Sequence, residues 1–231
     1  MNPFKYKSFP LSIIGRVPPP IGGVTIHTKR LLEYLKQNNF FYTFYDLKLI
    51  SLSSFIKLLF KSRVCHLHAN NPLFILAFTL LCKLFKTKSI ITIHGNIGYH
   101  NLILSFFEKL ALILSDIPIV LNNFSYKTSI TLNKRTQLIT SFIAPRYDTT
   151  LSEQYKKNIK RLRRNKLKIF CTNAFDYVFD SDNNEIYGIK DLIDFFKDKN
   201  NLVLLISDPS SSYYSSFRDI TRNNSNILFL T

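Results

Sequence analysis

The sequence contains few cysteines, few acidic residues and no long apolar run. Its cysteines, Cys65, Cys82 and Cys171, are far apart and form no CxxC pair. This excludes a disulfide framework and indicates reduced thiols of a cytosolic protein. The longest apolar segment, residues 73–82, is shorter than the roughly 20 residues that cross a bilayer. We interpret it as a buried or interfacial helix, and we expect no secretion signal.

Acidic residues are outnumbered by basic ones. The chain has 231 residues, with 31 Lys and Arg against 15 Asp and Glu, a net charge of +16. Such a balance implies an anionic partner, which can be a phosphate-rich substrate, an acidic lipid surface or a nucleic acid. An AT-rich genome that favours lysine codons is the alternative explanation. With 46% hydrophobic and 20% charged residues, the chain is globular rather than disordered.

A glycine and proline loop follows the first apolar run, residues 11–14, and precedes a helical pattern. Strand, loop and helix in this order form the first unit of a doubly wound α/β domain, whose loops bind ligands at the carboxyl edge of the sheet. Gly22 and Gly23 let the backbone approach a ligand, and the helix start favours a phosphate. The alternative is a tight turn that needs backbone freedom. The predicted apolar face of the helix is Val24, Thr28, Leu31 and Leu35.

Apolar runs alternate with helical segments along the whole chain, which predicts parallel sheets covered on both faces. The predicted strands of the first region are residues 11–14, 42–45, 64–68, 89–94, 117–121 and 137–143. A second series has strands at residues 168–172, 202–206 and 226–231. The predicted helices between the strands include residues 102–114, 189–196 and 213–221. Since no helix follows the final strand, we expect this second domain to be incomplete.

Five short segments resemble the retaining family-four glycosyltransferases, which have the two-domain GT-B fold. These segments are residues 22–27, 66–68, 93–95, 187–193 and 202–208, and their succession carries the resemblance. It implies an α/β, GT-B-like chain with a complete N-terminal Rossmann-like domain and an incomplete second one. The implied divisions are an acceptor-side domain at 1–150, a basic linker helix at 151–166 and a partial nucleotide-sugar domain at 167–231.

The resemblance also implies which residues form the site. His94, at the end of a predicted strand, lies near the reacting centre, although a histidine satisfied at a strand end is the alternative. Gly22 and Gly23 contact the donor diphosphate or the acceptor. Gly95, Asn96 and Lys190 are further donor or acceptor contacts. No cofactor or metal is expected, because protein cations and helix N-termini can stabilise a departing nucleotide.

The sequence departs from the family pattern at two places in the predicted nucleotide-sugar domain. Asn173 or Ala174 stands where the family has an arginine, and Tyr187 stands near the position of its lysine. Lys190 lies one turn further on as the replacement. The family's paired glutamates would follow residue 231. We therefore expect weak or absent transferase activity from this chain alone.

Other histidines and acids are candidate metal ligands. His66 and His68 alternate along a strand and face one side, but no third ligand has evident spacing, so core or cleft-lining histidines are the better interpretation. His27 and His100 are weaker candidates. The acidic run at 180–185 lacks the glycine of a calcium loop and is interpreted as a polar turn.

The implied function is transfer of a sugar from a nucleotide-sugar donor to a lipid-linked cell-surface polysaccharide of O-antigen, lipopolysaccharide or capsule type. Basic helices near residues 57–63 and 156–168 suit the anionic inner face of the cytoplasmic membrane, so we expect a cytoplasmic, peripheral protein. One alternative is a non-catalytic, truncated remnant or partner subunit that binds membrane or a companion chain. Another is a nucleic-acid-binding α/β protein, although no binding module accompanies the charge.

Overall fold

The computed structural model describes residues 11–144, 152–179 and 183–230. The chain divides into two compact units, residues 1–145 and 146–231. The domain boundary that we predicted at residues 150 and 151 lies outside the described residues. No helix in the described ranges combines the length and the hydropathy needed to cross a bilayer.

The first unit contains a parallel sheet of six strands in the order β2-β1-β3-β4-β5-β6. The strands are β1 Leu11–Gly15, β2 Tyr42–Asp46, β3 Val64–His68, β4 Lys88–Ile93, β5 Ile117–Val120 and β6 Gln137–Leu138. Because β1 pairs with β2 on one side and β3 on the other, the strand order reverses at β1. The loops after β1 and β3 therefore diverge at the carboxyl edge, where such sheets bind ligands.

Five helices connect these strands, and four of them begin with a polar side chain that caps the helix. Ser51, Asn71, Asn101 and Asn122 each accept a backbone N–H from the first turn, which satisfies a donor that the helix leaves unpaired. The first helix begins after Gly22, which has no capping side chain. The helices are α1 Gly23–Gln37, α2 Leu52–Lys61, α3 Pro72–Leu84, α4 Leu102–Leu114 and α5 Asn123–Leu132.

The two faces of this sheet differ in polarity. One apolar cluster joins strand residues such as Leu67 and Ile91 to buried residues of α2, α3 and α4. Helix α1 instead buries Thr25 and Thr28, and the apolar face that we predicted for it is only partly buried. The reason is the strand surface beneath this helix, where the ring of His68 lies close to α1 and is buried.

Strand β6 is much shorter than the predicted 137–143. Its two residues are exposed at the edge of the sheet, and Ile139 N–H still donates to Val120 O. Further along, the carbonyl groups of Ser141 and Ile143 accept hydrogen bonds from side chains of α1. These contacts with the helix replace the ladder that we predicted.

The second unit contains three parallel strands, β7 Lys168–Asn173, β8 Leu202–Ser207 and β9 Ile227–Leu230, in that order. Its helices are α6 Glu153–Arg164, α7 Ile189–Phe196, α8 Ser212–Ser216 and α9 Arg218–Asn223. Leu162 of α6 packs with Val203 and Leu205 of β8, so the helix that we expected to link the domains contributes to this core. The single helix predicted near residues 213–221 is divided at Phe217.

Candidate functional site

Four of the five histidines of the chain gather at the carboxyl edge of the first sheet. His94 directly follows β4, and its ring centroid lies 5.0 Å from that of His27 in the second turn of α1. The His68 ring lies 5.4 Å from His94 and 4.2 Å from His66. The structure thus places His94 beside the helix that begins at Gly22 and Gly23. His66 and His68 face the same side of the sheet.

Hydrogen bonds fix the orientation of these rings. His68 Nδ1 lies 3.2 Å from His94 Nε2, and His66 Nε2 lies 2.8 Å from Thr92 Oγ1. His27 Nδ1 donates to the carbonyl of Ser141 at 3.0 Å. His68 Nε2 is buried and has no hydrogen-bond partner within the described residues.

Three of these rings, His66, His68 and His94, are neutral at neutral pH. Burial lowers the pKa of His66 to about 3 and that of His94 to about 4, with a smaller contribution from the neighbouring His27 ring. Burial also holds the pKa of His68 well below its usual value. A neutral imidazole has one N–H donor and one acceptor nitrogen. These rings therefore act as hydrogen-bond partners and not as cations.

The unpartnered Nε2 of His68 indicates which of the two rings donates the hydrogen bond between His68 and His94. If His94 donated to His68, the buried His68 Nε2 would carry an N–H group without an acceptor, which is costly. With His68 Nδ1 as the donor, only an acceptor lone pair stays unused. His94 then carries its own proton on Nδ1, the nitrogen that makes no hydrogen bond to a described residue. His94 can offer that N–H to a ligand oxygen.

Two cavities open at this edge and share Ala69 and Asn70 in their walls. The Arg16 cavity has a volume of about 520 Å³ and is lined by Arg16, Val24, Thr25, Leu47, His68, Ala69, Asn70, Asn71 and Phe74. The His94 cavity has a volume of about 230 Å³ and is lined by Ala69, Asn70, Ile75, Ile93, His94, Gly95, Asn96, Tyr99, His100 and Glu108. Concave sites with a few convergent polar groups are the usual places for small ligands.

Gly22 and Gly23 directly precede Val24 and Thr25, which line the Arg16 cavity, and the backbone does not require glycine at either position. Gly22 is extended, with φ −170°, a conformation open to any residue. A Cβ at Gly23 would meet nothing within 4 Å. The first bond of α1 runs from Ile26 N–H to Gly22 O, so three preceding N–H groups mark the positive end of the helix. The alternative explanation, a turn that needs backbone freedom, is therefore not supported at these two positions. Close approach of a ligand to Gly22 and Gly23 stays a prediction.

The loop that contains Gly95 and Asn96 is held from two helices. Glu108 of α4 is buried and accepts Gly98 N–H at 2.9 Å. Asn122 donates to Asn96 Oδ1 at 3.0 Å. Glu108 was absent from our predictions, although a single acid within the apolar segment 102–114 was a signal. The sequence made His27 only a weaker candidate, because its approach to His94 depends on which strands pair in the sheet.

Lys190 lies in the second unit, in the first turn of α7, and its side chain is exposed. Its backbone N–H donates to Glu185 Oε2 at 2.8 Å, and Ile189 N–H donates to Glu185 Oε1 at 3.1 Å. Tyr213 OH donates to the same carboxylate. Burial opposes ionisation of Glu185, but these hydrogen bonds outweigh it and lower its pKa. The positive end of α7 is therefore already neutralised by a carboxylate of the chain itself.

Possible metal ligands are not assembled in the part of the chain that the structure describes. No group of three or more His, Cys, Asp or Glu side chains there could hold a metal ion. Asp180 and Asp182 of the acidic run lie outside the described residues. That the protein works without a metal stays a prediction.

Comparisons by sequence, with family models and with curated proteins, find no match. Solved structures do match. Anabaena HepE in complex with UDP and glucose has a TM-score of 0.63 at 10% identity, over 96% of this chain and 69% of that chain. The lipopolysaccharide outer core galactosyltransferase WaaB has a TM-score of 0.52 at 10% identity, over 96% of this chain and 67% of that chain. The UDP-GlcNAc 2-epimerase from Neisseria meningitidis bound to UDP-GlcNAc has a TM-score of 0.54 at 12% identity, over 96% of this chain and 71% of that chain.

At such low identities the likeness concerns the fold. These neighbours are GT-B glycosyltransferases and UDP-GlcNAc 2-epimerases, and the chain covers about two thirds of each. The chain has an α/β fold with parallel sheets that matches part of the GT-B fold.

Proposed function

We propose that the protein is a glycosyltransferase that binds a UDP-sugar and serves the assembly of a lipid-linked cell-surface polysaccharide of O-antigen, lipopolysaccharide or capsule type. One observation carries the proposal. His94 and the uncapped start of α1 lie together at the carboxyl edge of the first sheet, beside two cavities. The fold shared with HepE and WaaB supports it. Retention at the sugar carbon and hexosyl transfer follow from the family resemblance alone.

The roles of the residues follow from their chemistry. The start of α1 at Gly22 and Gly23, with Arg16 beside it, would hold an anionic group of the donor or the acceptor. His94 would donate its Nδ1–H to a ligand oxygen, and Gly95 and Asn96 would form the wall beside it. A neutral donor in a partly buried site stabilises developing negative charge at a fixed place. None of these roles requires a metal or a cofactor.

Ligand binding by matched variants tests this proposal. We expect UDP-glucose to bind the wild-type chain and His94→Gln to weaken that binding about tenfold, because loss of a hydrogen bond in a buried site costs about 1–3 kcal/mol. Lys127→Gln is the control and should leave the affinity unchanged, because Lys127 is exposed on α5 and lines neither cavity. Isothermal titration gives the affinities. Equal affinity of wild type and His94→Gln would place the ligand elsewhere.

A specific observation also favours a second candidate, a non-catalytic subunit that needs a companion chain. Glu185 occupies the positive end of α7, which is the place that the resemblance implies for a donor diphosphate. A bound diphosphate would have to displace this carboxylate. Copurification of a second glycosyltransferase-like chain, together with no binding of any UDP-sugar by this chain alone, would establish the second candidate.

We further propose that the protein works as a peripheral protein at the cytoplasmic face of the cytoplasmic membrane. The net charge of +16 supports this location, because the anionic inner leaflet attracts basic segments. Helix α6 ends in Arg161, Arg163 and Arg164. Localisation of the tagged protein in cell fractions, washed at high salt, tests the proposal.

A further inference from the structure

Helices α3 and α4 are apolar around almost their whole circumference. Helix α3 has one charged residue, Lys83, and α4 has two, Glu108 and Lys109. A helix that packs on a sheet in water normally turns a polar face outward. Since Glu108 is buried and bound to Gly98 N–H, the outward faces of these two helices are left with apolar side chains and lysine.

The exposed side chains form one stripe on each helix. Leu73, Leu80 and Leu84 of α3 are 48%, 48% and 72% exposed. Leu102, Phe106 and Ile113 of α4 are 91%, 61% and 50% exposed. Spacings of four and seven residues place each set on one helix face. The two helices pack against each other and bury their opposite faces in one core, so the stripes form a single α3–α4 surface.

The charges on and beside this surface have one sign. Lys83 and Lys109 are exposed at the surface itself, and neither forms an ion pair with any residue that the structure describes. Helix α2 packs beside α3, as the contact of Phe60 with Phe85 shows, and it adds the exposed Lys57 and Lys61. No acidic residue is exposed on α2, α3 or α4.

These features select a membrane over a second copy of the chain. Apolar side chains with lysines among them are typical of helices that lie in the headgroup region of an anionic bilayer. Two copies joined through this surface would instead place Lys83 and Lys109 of both copies in one interface that has no exposed acidic side chain to pair with them. We propose that the α3–α4 surface docks the protein on an anionic bilayer, with both helices parallel to the membrane plane.

Helix α4 also connects this surface with the His94 cavity. Glu108 and the preceding Tyr99 and His100 line that cavity, while Leu102 and Phe106 point outward. If the protein acts on a lipid-linked acceptor, as the proposed function requires, docking brings the cavity within reach of the lipid headgroup layer. This consequence rests on the proposed function, whereas the docking does not.

Vesicle co-sedimentation tests the surface. The probes are phosphatidylcholine vesicles with about one third phosphatidylglycerol, and neutral phosphatidylcholine vesicles. We expect the wild type to bind the anionic vesicles, and the double variant Leu102→Glu with Phe106→Glu to bind them about tenfold more weakly. The matched control is Phe41→Glu with Leu49→Glu, because these side chains are similarly exposed, at 64% and 86%, outside α3 and α4.

Equal losses in both double variants, or equal binding of wild type to neutral vesicles, would overturn the proposal. So would a dimer in lipid-free solution that the Leu102→Glu and Phe106→Glu changes abolish, because a second copy would then be the occupant. UDP-glucose binding by the same variants, without lipid, separates this proposal from the proposed function. Vesicle binding without UDP-glucose binding refutes the function and leaves the surface, and the reverse result refutes the surface alone.

Discussion

Mild acid is expected to destabilise the first unit because it charges histidines in the unfolded chain before those in the fold. The pKa is about 3 for folded His66 and about 4 for folded His94, against 6.5 for an unperturbed histidine. Below pH 6.5 the unfolded chain therefore binds more protons, and the free energy of unfolding falls as the pH falls. Above that pH both states are neutral, and these two groups add no pH dependence.

The size of the effect follows from the same values. At about pH 5, each histidine is almost fully charged when unfolded and almost neutral when folded, which costs about 2 kcal/mol per residue. His66 and His94 together would remove up to about 4 kcal/mol. A domain has only about 5–15 kcal/mol of stability, so the loss is a large share. Because both rings are partly exposed, these figures are upper values.

The titration of acidic groups does not obscure the effect of the histidines between about pH 7.5 and about pH 5. Burial opposes ionisation of Asp116 and Glu185, but hydrogen bonds to each carboxylate outweigh it and lower both pKa values. Their contribution to stability is present above the ordinary carboxyl pKa of about 4 and is lost only as the pH falls below it. A comparison between about pH 7.5 and about pH 5 therefore isolates the histidines.

Urea unfolding followed by far-UV circular dichroism measures the effect. Between about pH 7.5 and about pH 5 we expect the wild type to lose up to about 4 kcal/mol through His66 and His94. Burial also lowers the pKa of His68, so this ring adds a further loss in the wild type and in the variant. His94→Gln should lose about 2 kcal/mol less than the wild type. His100→Gln should lose as much as the wild type, because His100 is exposed. A wild type whose stability is unchanged at about pH 5, or a His94→Gln variant with the same pH dependence, would refute the reasoning.

Three further substitutions address the glycines and the second unit. Gly23→Ala should raise the free energy of unfolding by about 0.5–1 kcal/mol, because the added Cβ would meet nothing within 4 Å. The same substitution should weaken the binding of UDP-glucose. Unchanged binding would mean that Gly23 does not belong to the site. Gly15→Ala should cost about 1–3 kcal/mol, since its Cβ would lie 3.2 Å from the Cβ of His68, and urea unfolding beside Gly23→Ala checks the contrast. Glu185→Gln should destabilise the second unit by about 1 kcal/mol, against no change for the exposed control Asp198→Asn, both measured by urea unfolding.

Sequence patterns predicted most of the secondary structure because the signals are local. The helices at 102–114 and 189–196 have the predicted bounds, since each joins a clear apolar pattern to a distinct start, Asn101 or Gly188. The pattern failed at β6, where residues 137–143 are rich in the apolar and β-branched residues that strands favour. The hydrogen bonds of Ser141 and Ile143 with side chains of α1 connect positions more than 100 residues apart, and no local pattern contains that information.

The candidate site was predictable in position and not in detail. A histidine at the end of a strand and a glycine pair before a helix both point to the carboxyl edge of a parallel sheet. That edge brings His94 and α1 together. The proton assignment of His94 depends on His68, and the fixed loop depends on Glu108. The first contact depends on which strands are neighbours, which the order of strands along the chain does not reveal. The second joins residues only ten positions apart, but it depends on the path of the loop between β4 and α4, which no periodic pattern predicts.

The two units differ in the charge at one comparable place, the N-terminus of the helix that follows a glycine. In the first unit α1 has no acid in its first turn, and Arg16 lines the cavity beside it. In the second unit Glu185 accepts the N–H groups of Ile189 and Lys190. An anionic ligand gains from the first helix end and meets a like charge at the second.

We therefore expect the binding of UDP by this chain to depend on Arg16 and not on Lys190. Arg16→Ala should weaken the affinity about tenfold, as the loss of a charge-assisted contact of about 1.5 kcal/mol requires. Lys190→Ala should leave the affinity unchanged, and both residues are exposed, so neither change should disturb the fold. Isothermal titration with UDP shows which of the two units binds the nucleotide. A larger effect of Lys190→Ala would mean that the ligand displaces Glu185 and that the second unit, despite its own carboxylate, is the nucleotide-binding one.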